Sequence, residues 1–200
     1  MARPVTHDDT VRTRLLQAAA EALADGGVTA LSLRSIATAA GTSTSAVYTL
    51  FGDKAALVEA VATEAERSFR VSQETVPVTA DPIADLRALG LAYRAWALAN
   101  PSLYAVMFAG RIPGTSSEPT GSDELEVEPS ILPLVTAIAR AVEAGTLGGA
   151  SVEVIVLSVW AMVHGQVTLE LAACDSPVGA GLAASHHDYL DAVARAWAVR

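Results

Sequence analysis

The sequence predicts an all-α fold, and three observations carry that prediction. Alanine and leucine dominate the 200 residues, while aromatics make up only 5%. Runs of β-branched residues are few. Apolar residues recur every three or four positions, the period of a helix buried along one face. With 52% apolar and 18% charged residues, the chain can bury a sizeable core and still leave apolar surface for a partner.

Taken in order, residues 1–7 read as an arm. The first helix runs from about Asp8 to Asp25, with Val11, Leu15, Ala18 and Ala22 as its apolar stripe and Leu16 and Leu23 widening it. Asp8 and Asp9 suit its positive N-terminal end, and Gly26-Gly27 ends it. Ser32 caps a second helix from Leu33 to about Ala39, Gly41 occupies a turn, and Ser43 caps a third from Thr44 to about Leu50. Asp53 caps a long fourth helix reaching about Ser72. Leu31, Leu33, Ile36, Val47, Phe51 and Leu57 are the expected core of this part.

Pro77 and Pro82 bound a break, and a helix follows from Pro82 to Ala99, proline being tolerated in a first turn. Asn100-Pro101 stops it. A short helix covers Ser102 to Ala109. Arg111 to Glu124, rich in Pro, Gly, Ser and Thr, reads as a mobile loop. Helices are expected over Pro129–Ala144 and over Ser151–Ala173, the latter the most apolar of all. Ser176 to Gly181 reads as a turn, and the final helix covers about Ser185 to Val199. The expected division is a small N-terminal domain over 1–52 and a larger helical domain over 53–200, the fourth helix linking them.

The stretch Leu31–Leu57, LSLRSIATAAGTSTSAVYTLFGDKAAL, carries the functional signal. Two short helices around a tight turn, followed by a third, are the layout of a helix-turn-helix. That device lays one short helix in a DNA major groove. The third helix opens on small polar residues, Thr42, Ser43, Thr44 and Ser45, which allow close approach to phosphates and base edges. Tyr48 and Thr49 follow one turn on. Lys54 starts the fourth helix, and Ser32 and Arg34 start the second. These nine residues are the candidate DNA contacts.

The formal net charge of −9 is unusual for a DNA binder, but its distribution matters more. Residues 1–60 hold five basic and six acidic side chains, and the remainder eight and sixteen. The acidic excess therefore lies away from the helix-turn-helix. Cys174 is the only cysteine, so no disulfide forms within the chain. The N-terminus has no signal-peptide layout, and the apolar run Val154–Val163 is too short to span a bilayer. A cytoplasmic protein with no membrane partner is expected. No nucleophile–base set or Gly-rich phosphate loop is legible, so neither an enzyme nor a cofactor is expected. His186-His187-Asp188, with Asp191, offers too few ligands on one face to hold a metal.

The helix-turn-helix resembles that of the TetR family of transcriptional regulators. The matching residues are Gly27, Leu31, Ser32, Leu33, Arg34, Ile36, Ala37, Ala40, Gly41, Ser43, Tyr48, Phe51, Lys54 and Leu57. They stand in the spacing L-S-L-R-x-I-A, A-G-x-S and Y-x-x-F-x-x-K-x-x-L. Trp160, His164 and Gly165, in VWAMVHGQVTLEL, look like the W-x-x-x-H-G phrase of a subgroup with a WHG-type C-terminal domain. The resemblance implies a homodimer and a repressor relieved by a small molecule. Thr44 and Thr49 depart from it, since basic or histidine side chains are common there.

Two further groups follow. Tyr93, Trp96, Tyr104, Met107 and Phe108, with Trp160 and His164, suit either a ligand pocket or a plain core. Ile155, Val159, Met162, Val163 and Gln166 cover more than one face of their helix. With Tyr189, Val193 and Trp197 on the last helix, they suit a four-helix interface between two copies. The expectation is a repressor that binds a palindromic double-stranded operator as a homodimer and is released by a small hydrophobic effector. Ligand and DNA would be coupled by differential affinity for two arrangements, with the fourth helix as lever. A DNA-binding activator, a regulator answering a partner protein, and a small helical enzyme or carrier that has lost DNA binding are the alternatives.

Overall fold

Residues 7–108 and 129–199 are described by a computed structural model. The segment 111–124 read above as a loop lies outside them. Nine α-helices and one 3-10 turn make up the described residues, with a single isolated β-bridge between Leu147 and Ala198. They fall into two compact units. One comes from Met1–Ser68 and Asn100–Glu124, the other from Phe69–Ala99 and Leu125–Arg200.

The first unit holds α1 (His7–Ala30), α2 (Leu33–Ala39), α3 (Thr44–Phe51), the start of α4 (Lys54–Glu74) and α6 (Pro101–Phe108). Gly27, at φ 65° and ψ −171°, breaks α1 where the paired glycines predicted an end, and a last turn follows to Ala30. Leu15, Ala19, Ile36, Val47, Leu57 and Val61 form its core, each at most 2% exposed. Leu33 and Phe51 pack on this core while remaining half-buried. Beyond residues 1–52, this unit takes in the start of α4 and α6. α6 lies along α1, and Val106 is buried among the α1 residues with Leu103 packed beside it.

The second unit is built from the end of α4, α5 (Pro82–Ala99), α7 (Leu132–Glu143), α8 (Val152–Ala172) and α9 (Pro177–Ala196). α7 packs on α5 and α8, and α9 on α5 and α8. Ile138, Ala141, Ile155, Val159 and Val193 lie in its core. α9 begins well before the predicted start. Ser176 accepts a hydrogen bond from Gly179 N at 3.2 Å, and Pro177 occupies the first turn. The glycines there do not make a turn. Gly179 is needed because a Cβ would stand 2.1 Å from the Ala173 carbonyl oxygen.

At 21 residues and a mean hydropathy of 1.6, α8 is long and apolar enough to cross a membrane by length and composition, so the shorter run read from the sequence understates it. Its apolar character has another use here. Ile155, Val156, Val159, Val163, Gln166, Val167 and Glu170 form one side, buried in the unit.

Candidate functional site

The local sequence fixes the helix-turn-helix through its caps. Ser32 Oγ accepts from Ser35 N at 3.4 Å and Ser43 Oγ from Ala46 N at 3.2 Å. Asp53 Oδ1 accepts from Ala56 N at 2.8 Å. Each satisfies a donor that a helix start leaves open. Gly41, at φ 65°, carries the chain between α2 and α3. Val47 is the inward anchor of α3, fully buried. That burial turns Ser45, Tyr48 and Thr49 outward, and Tyr48 is 54% exposed despite its size. Thr49 Oγ1 donates to Ser45 O at 3.0 Å, which holds its methyl and hydroxyl in one rotamer.

Ser32, Arg34 and Ser43 are exposed, and Thr42, Thr44 and Lys54 half-buried. All nine residues singled out from the sequence therefore keep solvent access, on α2, α3, the turn and the start of α4. Two arginines escaped the sequence reading. The Arg12 guanidinium lies over the Phe51 ring at 4.7 Å from its centroid. Arg14 Nη1 comes within 4.0 Å of where a Gly41 Cβ would stand. Both are exposed on α1 beside the ends of α3. A helical wheel of α1 puts them on its polar face, but only tertiary packing sets that face next to α3.

The second unit contains a narrow recess of about 560 Å³, its open mouth included. Leu89, Tyr93, Val163, Leu190 and Val193 form much of its wall. Gly90 lets α9 close in, since a Cβ there would meet Leu190 Cδ2 at 2.5 Å. Of the predicted ligand residues, Tyr93 and Trp160 line the recess. His164 stands behind them. Its Nδ1 is 2.8 Å from Tyr93 Oη, and its ring stacks on Trp160 at 5.4 Å between centroids. Burial holds His164 below the usual histidine range.

Trp96 is buried against Phe69, 5.0 Å between centroids, and is not on the lining. Tyr104, Met107 and Phe108 are not on it either. They belong to α6 in the first unit, because Asn100-Pro101 ends α5 and the chain leaves it there. Gln73, Ser130 and Leu190 do line the recess. No sequence motif marks them, since they come from three separate stretches.

The residues expected at an interface between copies divide in two. Ile155, Val159, Val163, Gln166 and Val193 are buried within the chain's own unit. Trp197 is half-buried against the same core, and Tyr189 Oη donates to Met162 O at 2.8 Å. Met162 remains on the surface. The apolar residues left outward on α8 are Val154, Leu157, Met162 and Leu169, each 40–59% exposed. At 100° per residue they share one face, with Gly165 at its middle. A Cβ at Gly165 would meet nothing within 4 Å.

Two polar clusters brace this unit. Glu170, 5% exposed, pairs with Arg94 through two contacts of 2.7 and 2.5 Å. His186, 1% exposed, has Nδ1 2.8 Å from Gln166 Oε1, and Gln166 Nε2 donates to Leu182 O at 3.2 Å. Gln166 thus presents its oxygen to His186, which makes Nδ1 the protonated nitrogen. Elsewhere Asp85 accepts from Thr79 Oγ1 and from Arg140 Nη1, both at 2.6 Å. The Thr79 hydroxyl first, and Arg140 with it, hold the Asp85 carboxyl below the usual carboxylate range. Among the described residues, no three His, Cys, Asp or Glu side chains gather as a metal site.

A capped pair of short helices, turned by Gly41 and presenting a polar α3 outward, defines the first unit as a helix-turn-helix DNA-binding domain. Residues 15–61 match the family model for bacterial regulatory proteins of the tetR family, and residues 86–197 the tetracyclin repressor-like C-terminal domain. The chain belongs to the TetR family and is a transcription regulator of that fold. A comparison with curated proteins finds no significant match. Among solved structures, it is similar to a Rhodococcus sp. RHA1 protein of unknown function, with 28% identity, TM-score 0.69, and 94% and 96% of the two chains covered. It also resembles the TetR regulator PfmR from Thermus thermophilus, at 24% identity, TM-score 0.73, and 91% and 97% coverage. A TetR regulator from Marinobacter aquaeolei VT8 shares 18% identity, with TM-score 0.74 and coverage of 96% and 98%.

Proposed function

We propose that this regulator is a repressor that binds a palindromic operator as a homodimer and releases it when a small hydrophobic effector enters the recess of the second unit. The observation that carries the DNA half is the outward face of α3. Tyr48 stands 54% exposed beside Ser45 and Thr49, where its hydroxyl is free to reach a phosphate while the small neighbours approach the groove. Tyr48, Lys54, Ser32 and Arg34 contact phosphates and set orientation, with Arg12 and Arg14 adding positive charge from α1. Thr42, Ser43, Thr44, Ser45 and Thr49 approach the groove. The outward apolar face of α8 supports the dimer, and two symmetric copies present two reading helices about one DNA turn apart, on the order of 34–36 Å.

The apolar recess supports a hydrophobic effector. The protein works by binding, with effector and DNA each favouring a different arrangement of the dimer. Such a regulator shares the cytoplasm with its operator.

Fluorescence anisotropy with the gene's own upstream DNA, at two or more salt concentrations, tests this reading. Wild type should bind with a steep salt dependence. Lys54→Ala should weaken binding and lower the salt slope by about one unit, the signature of one lost phosphate contact. Unchanged affinity and slope would remove Lys54 from the interface. Absence of binding to every upstream fragment at low salt would refute the repressor reading.

A further inference from the structure

The recess of the second unit has a chemical character that narrows what can enter it. Its wall is aliphatic and aromatic, and two uncharged polar side chains reach it, Gln73 and Ser130. Each is 6% exposed. Gln73 Nε2 donates to Ser72 Oγ at 3.3 Å, leaving the amide oxygen without a hydrogen-bond partner among the described residues. The Ser130 hydroxyl likewise has none among them. Neither atom is among the sealed polar atoms of the described residues, so both keep access to the open recess and are equipped to bond to a guest.

Among the described residues, no charged side chain lies in the interior of the recess. Arg87 is the only ionised side chain on the lining among the described residues, and it stays at the surface, 43% exposed. Its Nε is 3.1 Å from Asp191 Oδ1, and its Nη2 lies 3.5 Å from His187 Nδ1. An anionic ligand would have to compete with Asp191 for it. Among the described residues no carboxylate lines the recess, so an ammonium would find no counter-ion from them. The Tyr93 hydroxyl is already engaged by His164. A charge taken into such a lining unpaired is strongly disfavoured.

We propose that the recess selects a neutral, mostly apolar molecule with a hydroxyl-type donor, held by the Gln73 amide oxygen and the Ser130 hydroxyl, and rejects carboxylates, phosphates and amines of the same skeleton. The assignment rests on the recess being the effector site, and the test separates the two. The full-length protein is titrated at pH 7.5 with 1-decanol, decanoate, decylammonium and decyl methyl ether, followed by calorimetry. Decanol should bind at least tenfold more tightly than either ion and about fivefold more tightly than the ether, which has no donor. Gln73→Leu should bring decanol and ether level.

Tighter binding of decanoate or decylammonium than of decanol would overturn the chemical class while leaving the recess as effector site. So would an equal affinity for decanol and ether in wild type. Val163→Trp, which fills the recess, should abolish decanol binding. Binding that survives this substitution, or no binding of any of the four probes to wild type, would overturn the recess itself.

Discussion

At Gly179 one hydrogen atom decides how two helices join. A methyl group there would run into the Ala173 carbonyl oxygen at 2.1 Å, and backbone cannot step aside as a side chain can. Gly179→Ala should therefore cost about 1–3 kcal/mol of stability, read by urea unfolding. Gly165→Ala, where the Cβ meets open space, should leave the single chain's stability equal or higher. The two glycines look alike in sequence, and only their neighbours tell them apart. The same limit explains the misplaced start of α9. Ser176-Pro177 is a good helix opening, but Gly179 and Gly181 so close behind it read as a turn.

His186 is the residue whose titration should be felt in stability. Burial first, and the Arg94 charge with it, holds it below the usual range. His187 adds to this, while the Gly90 carbonyl and Glu170 oppose it. The unfolded chain takes up the proton near the ordinary value of 6.5, and the folded chain only at lower pH. The stabilisation is complete above pH 6.5 and is lost progressively as pH falls below it, at most about 1.4 kcal/mol per pH unit for one proton. The thermal midpoint should drop between pH 7.5 and 5.5, and His186→Gln should flatten that drop. An unchanged slope in the variant would exclude His186 as a source. His164, also lowered by burial, contributes in the same direction.

Among elements, the joint between α5 and α8 is the informative one. Arg94 and Glu170 tie the two helices through a two-pronged contact whose carboxylate is nearly out of water. Arg94→Met leaves that carboxylate buried without its cation and should cost about 3 kcal/mol. Arg94→Met with Glu170→Met should restore most of the loss, because neither charge then remains. Equal losses in the single and double variants would show that packing, and not the uncompensated charge, is at stake. Sequence reading could not find this pair, since the partners lie 76 positions apart. By contrast α2, α3 and α5 were legible almost to the residue. Their caps, Ser32 and Ser43, and their proline, Pro82, act through neighbours in the chain. The outward polar residues of α3 are legible for the same reason, whereas the recess gathers α4, α5, α7, α8 and α9 and shows only in three dimensions.

For the molecule as a whole, the decisive surface is the outward side of α8. Periodicity revealed a helix apolar nearly all round, but not which half its own core would claim. The core takes Ile155, Val159 and Val163, so in the proposed homodimer the residues left for a second copy are Val154, Leu157, Met162 and Leu169. Leu157→Glu combined with Leu169→Glu should give a protein that sediments at half the wild-type mass with its helix content intact. A species of unchanged mass would exclude this face from the dimer. Trp197→Asp is the poorer probe, because Trp197 packs on the chain's own core and its loss confuses unfolding with dissociation.

Cys174 sits exposed just past the end of α8, and the sequence has no other cysteine. One maleimide reagent would therefore mark every subunit once, at the same corner, with no engineering of the native chain. In a paired assembly, two spin labels at that corner would give a single ruler between the subunits, by which effector-bound and operator-bound populations can be told apart in solution.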